Sequence, residues 1–161
     1  MLLGFNLLLW TTHVAVEHFP VFETLKKTGY DGIELPLFDG TPEHYAAVGK
    51  AARDNGLRII GVCVIPDEAH SCMSSDQGVQ NAAFDHVKWA VDCLDAAGGE
   101  LLCGPFYHPL GEFSGEPPTV IEKANLITVH QRAAEYAASK NIKLAVEPLN
   151  RFECYALNTV A

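Results

Sequence analysis

The sequence predicts an α/β fold, the opening part of a (β/α)8 TIM barrel holding about the first five strands and four helices. Three observations predict it. First, a phrase of helix, turn and short apolar run recurs as KKTGYDGIELPL, ARDNGLRIIGVCV, DAAGGELLCG and ASKNIKLAVEP. Second, the apolar runs are short and nearly continuous, as parallel strands covered on both faces require. Third, no GxGxxG or GxxxxGK pattern follows an early strand, which disfavours the open nucleotide-binding sheet.

The elements follow in order. MLLGFNLLLW is apolar enough for a signal peptide. However, no Lys or Arg precedes Lys26, and Thr11, Thr12 and His13 interrupt the run, so it reads as a buried strand, Leu3 to Leu9. Phe19, Phe22 and Leu25 mark the first helix, and Gly29 sits where a helix C-cap needs a left-handed residue. Strand two runs from Gly32 to Leu37. A second helix ends at Gly56, before strand three, Arg58 to Ile65. The third helix is marked by Ala83, Val87, Ala90, Val91 and Leu94 and closed by Gly98, before strand four, Glu100 to Gly104. Ile121, Ala124, Val129, Ala133 and Tyr136 mark the fourth helix less regularly. Asn141 takes the left-handed place there, and strand five is Ile142 to Glu147. ALNTVA begins a fifth helix, with Asn158 or Thr159 as its N-cap. A closed barrel needs about 250 residues and eight strands, so residues 1–161 read as the N-terminal portion of a single truncated barrel domain.

Composition limits the function. Eleven Lys and Arg against twenty Asp and Glu give 11 − 20 = −9, which argues against nucleic-acid and anionic-membrane partners. The five cysteines contain no CxxC pair and are too sparse for a disulfide framework, which fits a reduced cytoplasmic setting. No run approaches the roughly twenty apolar residues of a membrane helix.

In a parallel barrel, chemistry gathers at the C-terminal ends of the strands. The long loops PDEAHSCMSSD and GPFYHPLGEFSGEPP follow strands three and four there. This geometry brings Trp10, Leu37, Phe38, Ile65, Pro66, Phe106, Tyr107 and His108 toward Glu147, as aromatic and apolar walls beside a carboxylate suited to a small polyol. A carboxylate ending a buried strand is costly unless a cation or donors meet it. The bland reading of Glu147 is a solvated or salt-bridged surface residue, and Arg151 pairs with Glu153 equally well at the surface. The seven histidines show no ligand spacing, and Cys63 and Cys103 read as small core residues. Glu34, inside strand two, serves either packing or the site.

AVEPLNRFE, with Glu147, Asn150, Arg151, Phe152 and Glu153, resembles the strand-five signature of ketose 3-epimerases of the D-tagatose and D-psicose (allulose) type, in the xylose isomerase-like barrel superfamily. YDGIEL, NGLRIIGV and GPFYHPLG extend the resemblance along the chain. The resemblance implies an isomerase that epimerises free ketohexoses at C3 through an enediolate. It implies that Glu147 is both a metal ligand and one of two acid/base carboxylates, and that Glu153 binds substrate hydroxyls. The implied cofactor is Mn2+, Co2+ or Mg2+, whose remaining ligands come from later strands, and the full-length form is expected to be a homo-oligomer. On this reading the 161 residues alone are inactive. Hydroxypyruvate isomerase, inosose dehydratase and sugar-phosphate epimerases of the same superfamily are alternatives, as is a non-catalytic half-barrel that binds sugar or assembles with another chain. Endonuclease IV shares the barrel but is disfavoured by the charge.

Overall fold

Five strands, all parallel, form one sheet in the order β1-β2-β3-β4-β5, in a computed structural model that describes residues 1–159. The strands are β1 (Gly4–Asn6), β2 (Gly32–Pro36), β3 (Arg58–Val62), β4 (Leu101–Gly104) and β5 (Lys143–Val146). The connecting helices are α1 (Phe19–Thr28), α2 (Pro42–Asp54), α3 (Gln77–Ala97) and α4 (Val120–Ser139). Strand order follows chain order, as successive β-α units of a barrel require. All four left-handed positions expected from the sequence are observed, with φ of 103° at Gly29, 69° at Gly56, 76° at Gly98 and 58° at Asn141.

Local chemistry starts the longer helices. The Asp76 carboxylate accepts from the amides of Gly78 at 2.6 Å and Val79 at 3.3 Å, satisfying donors at the start of α3. Thr119 and Glu122 form a reciprocal capping box on α4. The marker residues of α3 are all buried, and Gln80, Cys93 and Ala97 join them. In α4 only Val129 and Ala133 of the expected five are buried, together with Ala137. Ile121 is 67% exposed in the first turn of α4, where it lines a surface pocket with Thr119, Asn125 and Tyr155 instead of joining the core.

Strand lengths differ from the expectation in one direction. β1 stops at Asn6, whose side chain accepts from the Leu8 amide at 2.8 Å and turns Leu7–Leu9 into a short 3-10 segment. β3 ends at Val62, although Cys63 still donates to the Cys103 carbonyl at 3.0 Å. Glu147 lies just past β5, with its amide donating to Gly104 at 3.0 Å. The expected fifth helix, with Asn158 or Thr159 as its N-cap, would run into residues 160–161 and lies outside the described residues. The side-chain amide of Asn158 donates to the carbonyls of Leu149 and Cys154, both at 2.8 Å.

Alternation along the strands sorts the two faces of the sheet. Ile33, Leu35, Ile59, Cys63 and Leu102 point to the helices and are fully covered. Asn6, Glu34, Ile60, Cys103 and Ala145 alternate with them on the inner face and remain partly or fully exposed. The expectation that every strand is covered on both faces therefore fails for β5, where Lys143, Ala145 and Val146 are exposed. β5 is an edge strand here, with helix packing on one side alone. No helix among the described residues is long and apolar enough to cross a membrane.

Candidate functional site

The inner face ends, at the C-terminal side of the sheet, in a cavity of about 480 Å3. Each strand sends a residue into it: Asn6, Glu34, Val62, Cys103 and Ala145. The parallel register sets Asn6 beside Glu34, and Cys103 between Val62 and Ala145. Glu147, two residues beyond Ala145, keeps the inward parity of that strand and lines the same cavity, as does Glu153. Leu8, Val64, Pro105, Leu110 and Leu149 form apolar walls.

Among the described residues, three carboxylates and no Lys, Arg or His line this space. Such a cavity favours a cationic occupant, or a neutral polyol that brings a cation with it. The Glu147 carboxylate accepts no hydrogen bond among the described residues, and the residue is exposed, so its oxygens are open to a ligand. Its burial cost is therefore smaller than strand position implies, because the inner face of β5 is open. Glu153 does not pair with Arg151; its carboxylate accepts from the Asn150 side-chain amide. Arg151 lies on a separate surface with Phe113, Glu116 and Tyr155.

Cys103, expected in the core, lines the cavity. It is not core: its thiol donates to Glu34 Oε1 at 2.7 Å inside the cavity. Burial, then the Glu34 carboxylate and the charge of Glu147, push its pKa up to about 12. The same contact resolves Glu34, which belongs to the cavity. The signal was present in GIELP, where Glu34 alternates with Ile33 and Leu35, but parity alone does not say which face meets a ligand.

The expected aromatic wall is not formed. Leu37, Phe106 and Tyr107 are fully buried. Leu37 shares the helix-facing parity of Ile33 and Leu35, and Phe106 that of Leu102. Trp10 stacks on Phe5, with centroids 4.7 Å apart, outside the cavity lining. His108 is buried and bridges loops instead of lining the cavity.

Oxygen donors of carboxylates suit Mg2+- or Mn2+-like ions. Among the described residues, however, no group of three or more His, Cys, Asp or Glu side chains is arranged to hold a metal ion. Glu147 fits as one hard donor, and the rest of a coordination shell is not supplied by these residues.

Comparison with known proteins agrees with this geometry. The family described as "Xylose isomerase-like TIM barrel" matches residues 22–161. A probable ketose 3-epimerase of Synechocystis is 31% identical over 161 residues, covering 98% of this chain and 55% of the relative. An L-ribulose 3-epimerase of Methylomonas is 32% identical over 136 residues, covering 83% of this chain and 46% of the relative. The crystal structure of a Methylomonas D-allulose 3-epimerase in complex with D-allulose superposes with a TM-score of 0.88 at 28% identity, covering 99% of this chain and 55% of that one. The chain thus spans about half the length of the curated relatives it matches. With its parallel sheet, its inward carboxylates and a family match across most of its length, the chain belongs to the xylose isomerase-like TIM barrel family.

Proposed function

We propose that the whole protein is a metal-dependent ketose 3-epimerase acting on free ketohexoses, and that residues 1–161 are the N-terminal part of its single barrel domain. The observation that carries this reading is the placement of Glu147 and Glu153 together on one carboxylate-lined cavity at the C-terminal end of the sheet. Relatives named as ketose, L-ribulose and D-psicose 3-epimerases support it.

The residues of this chain divide the work. Glu147, exposed and with a carboxylate that accepts no hydrogen bond among the described residues, takes the proton from C3 of the ketose and is one ligand for the metal. Glu153, held by Asn150, receives substrate hydroxyls. The apolar walls Leu8, Val64 and Leu149 exclude water from the reacting carbon. A bound Mn2+, Co2+ or Mg2+ ion supplies electrostatic stabilisation for the negative charge that develops on the ketose oxygens. The second carboxylate, which returns a proton to the opposite face, and the other ligands lie outside the 161 residues. These residues alone are therefore silent. The five free cysteines fit a reduced cytoplasmic setting, and the whole enzyme is expected to be a homo-oligomer with a small-molecule ketose as its substrate.

The test is ketose interconversion by the whole protein in deuterated water with added Mn2+, measuring label at C3. Removal of the ion by chelation abolishes turnover, and Glu147→Gln lowers kcat by about 10²- to 10⁴-fold while the circular dichroism spectrum is unchanged. A folded Glu147→Gln protein with full activity refutes the assignment.

A further inference from the structure

The loops around the cavity are joined through one buried histidine. His108, in the loop after β4, is 8% exposed. Its Nδ1 lies 3.0 Å from Ser71 Oγ in the loop after β3, and its Nε2 lies 3.3 Å from the Glu112 carbonyl. A carbonyl oxygen only accepts, so Nε2 carries the proton and Nδ1 is left to accept from the Ser71 hydroxyl. Burial pushes the pKa of this imidazole down, which favours the neutral form that this arrangement needs.

A third loop meets the same side chain. The ring of Tyr155, beyond β5, stands edge-on to His108 with centroids 5.2 Å apart. The Tyr155 hydroxyl donates to Glu122 Oε1 at 2.9 Å in the first turn of α4. Backbone bonds run in parallel: Cys72 donates to Tyr107 at 3.0 Å, and Gly111 donates to the Glu153 carbonyl at 2.9 Å. Glu153 itself sits in a turn with an exposed side chain, so its position over the cavity depends on these ties.

We propose that His108 is a positioning residue. It clamps the loop carrying Glu153 to the loops after β3 and β4, and so sets where the Glu153 carboxylate meets a bound polyol. The ligand part of this inference rests on the epimerase reading; the clamp does not.

The experiment compares wild type with His108→Phe, His108→Asn and Tyr155→Phe in the whole protein. It reads KM and kcat for D-allulose, and amide hydrogen exchange at Gly111, Leu149 and Cys154. Glu153 binds hydroxyls in the ground and transition states alike, so misplacing it raises KM more than it lowers kcat. His108→Phe raises KM roughly tenfold with kcat within about threefold, and it speeds exchange at those amides about tenfold. His108→Asn, whose side-chain oxygen can accept from the Ser71 hydroxyl, recovers much of both. Tyr155→Phe keeps the ring contact, drops the bond to Glu122 and shifts both readouts less, in the same direction. A folded His108→Phe protein with wild-type exchange and KM overturns the proposal, as does faster exchange with unchanged KM in an active enzyme. If His108→Phe does not fold, Tyr155→Phe and Ser71→Ala decide by the same two readouts. If the wild type turns over no ketose, the epimerase reading fails, and exchange alone supports or overturns the clamp.

Discussion

Gly104 closes β4 at the level of the cavity with a φ of 122°, and Gly104→Ala is the perturbation that probes how tightly the sheet is packed there. An added Cβ would run into the Cys63 carbonyl oxygen, with Cys63 N and Val62 Cγ2 each 3.2 Å away. Cys63 donates to the Cys103 carbonyl at 3.0 Å, so the strand cannot retreat without breaking the β3–β4 ladder. Placing an L-residue in this left-handed region costs about 1–2 kcal/mol, and overpacking against backbone adds about 1–3 kcal/mol. The total, about 2–5 kcal/mol, is a large share of the roughly 5–15 kcal/mol that stabilises a typical domain. Gly29→Ala is the control. Its φ is 103°, but nothing lies within 4 Å of the added Cβ, so it carries the conformational cost alone. Urea unfolding followed by circular dichroism measures both. Gly104→Ala should lose about 1–3 kcal/mol more than Gly29→Ala at an unchanged m-value. Equal losses would refute the close approach of β4 to β3 at the site.

Two further outcomes are expected. Thr119→Ala removes the acceptor for the Glu122 amide, 3.2 Å away, and should cost about 1 kcal/mol in a thermal melt. A melt indistinguishable from wild type would mean that the capping box does not stabilise α4. Stability should also fall at both ends of the pH scale. Burial lowers the pKa of His86, His108 and His130 from 6.5. Below about 6.5 the unfolded chain therefore takes up protons that the folded one declines, and stability drops on acidification. Burial likewise pushes Cys72, Cys93 and Cys103 up to about 12 from 9.0. The folded protein then keeps thiol protons that the unfolded chain releases, so this contribution is complete below pH 9 and is lost as pH rises toward 12. Denaturant melts across both ranges check the signs; a flat profile on either side contradicts the burial of those groups.

Local signals made most of the fold legible. A left-handed residue after a helix and a short β-rich run act over a few neighbours, so Gly29, Gly56, Gly98 and Asn141 could be placed from their surroundings. The failures lie where one side chain's contacts, near or far, override the apolar pattern. Leu7–Leu9 is as apolar as a strand, yet the Asn6 side chain captures the Leu8 amide and turns the chain. Ile121 belongs to the same apolar series as Val129 and Ala133, but in the first turn of α4 it lies outside the core and stays exposed.

The candidate site divides in the same way. By itself the sequence determined the alternation of strands and helices, the parity of each strand and the carboxylate at the end of β5, because these depend on neighbours along the chain. Only the tertiary structure decided that Glu34 and Cys103, 69 residues apart, touch inside the cavity that holds Glu147. It also decided that Phe106 and Tyr107 turn into the core while His108 ties three loops together. Register and helix cover select which face of each strand stays open, and both arise from contacts between elements far apart in the chain.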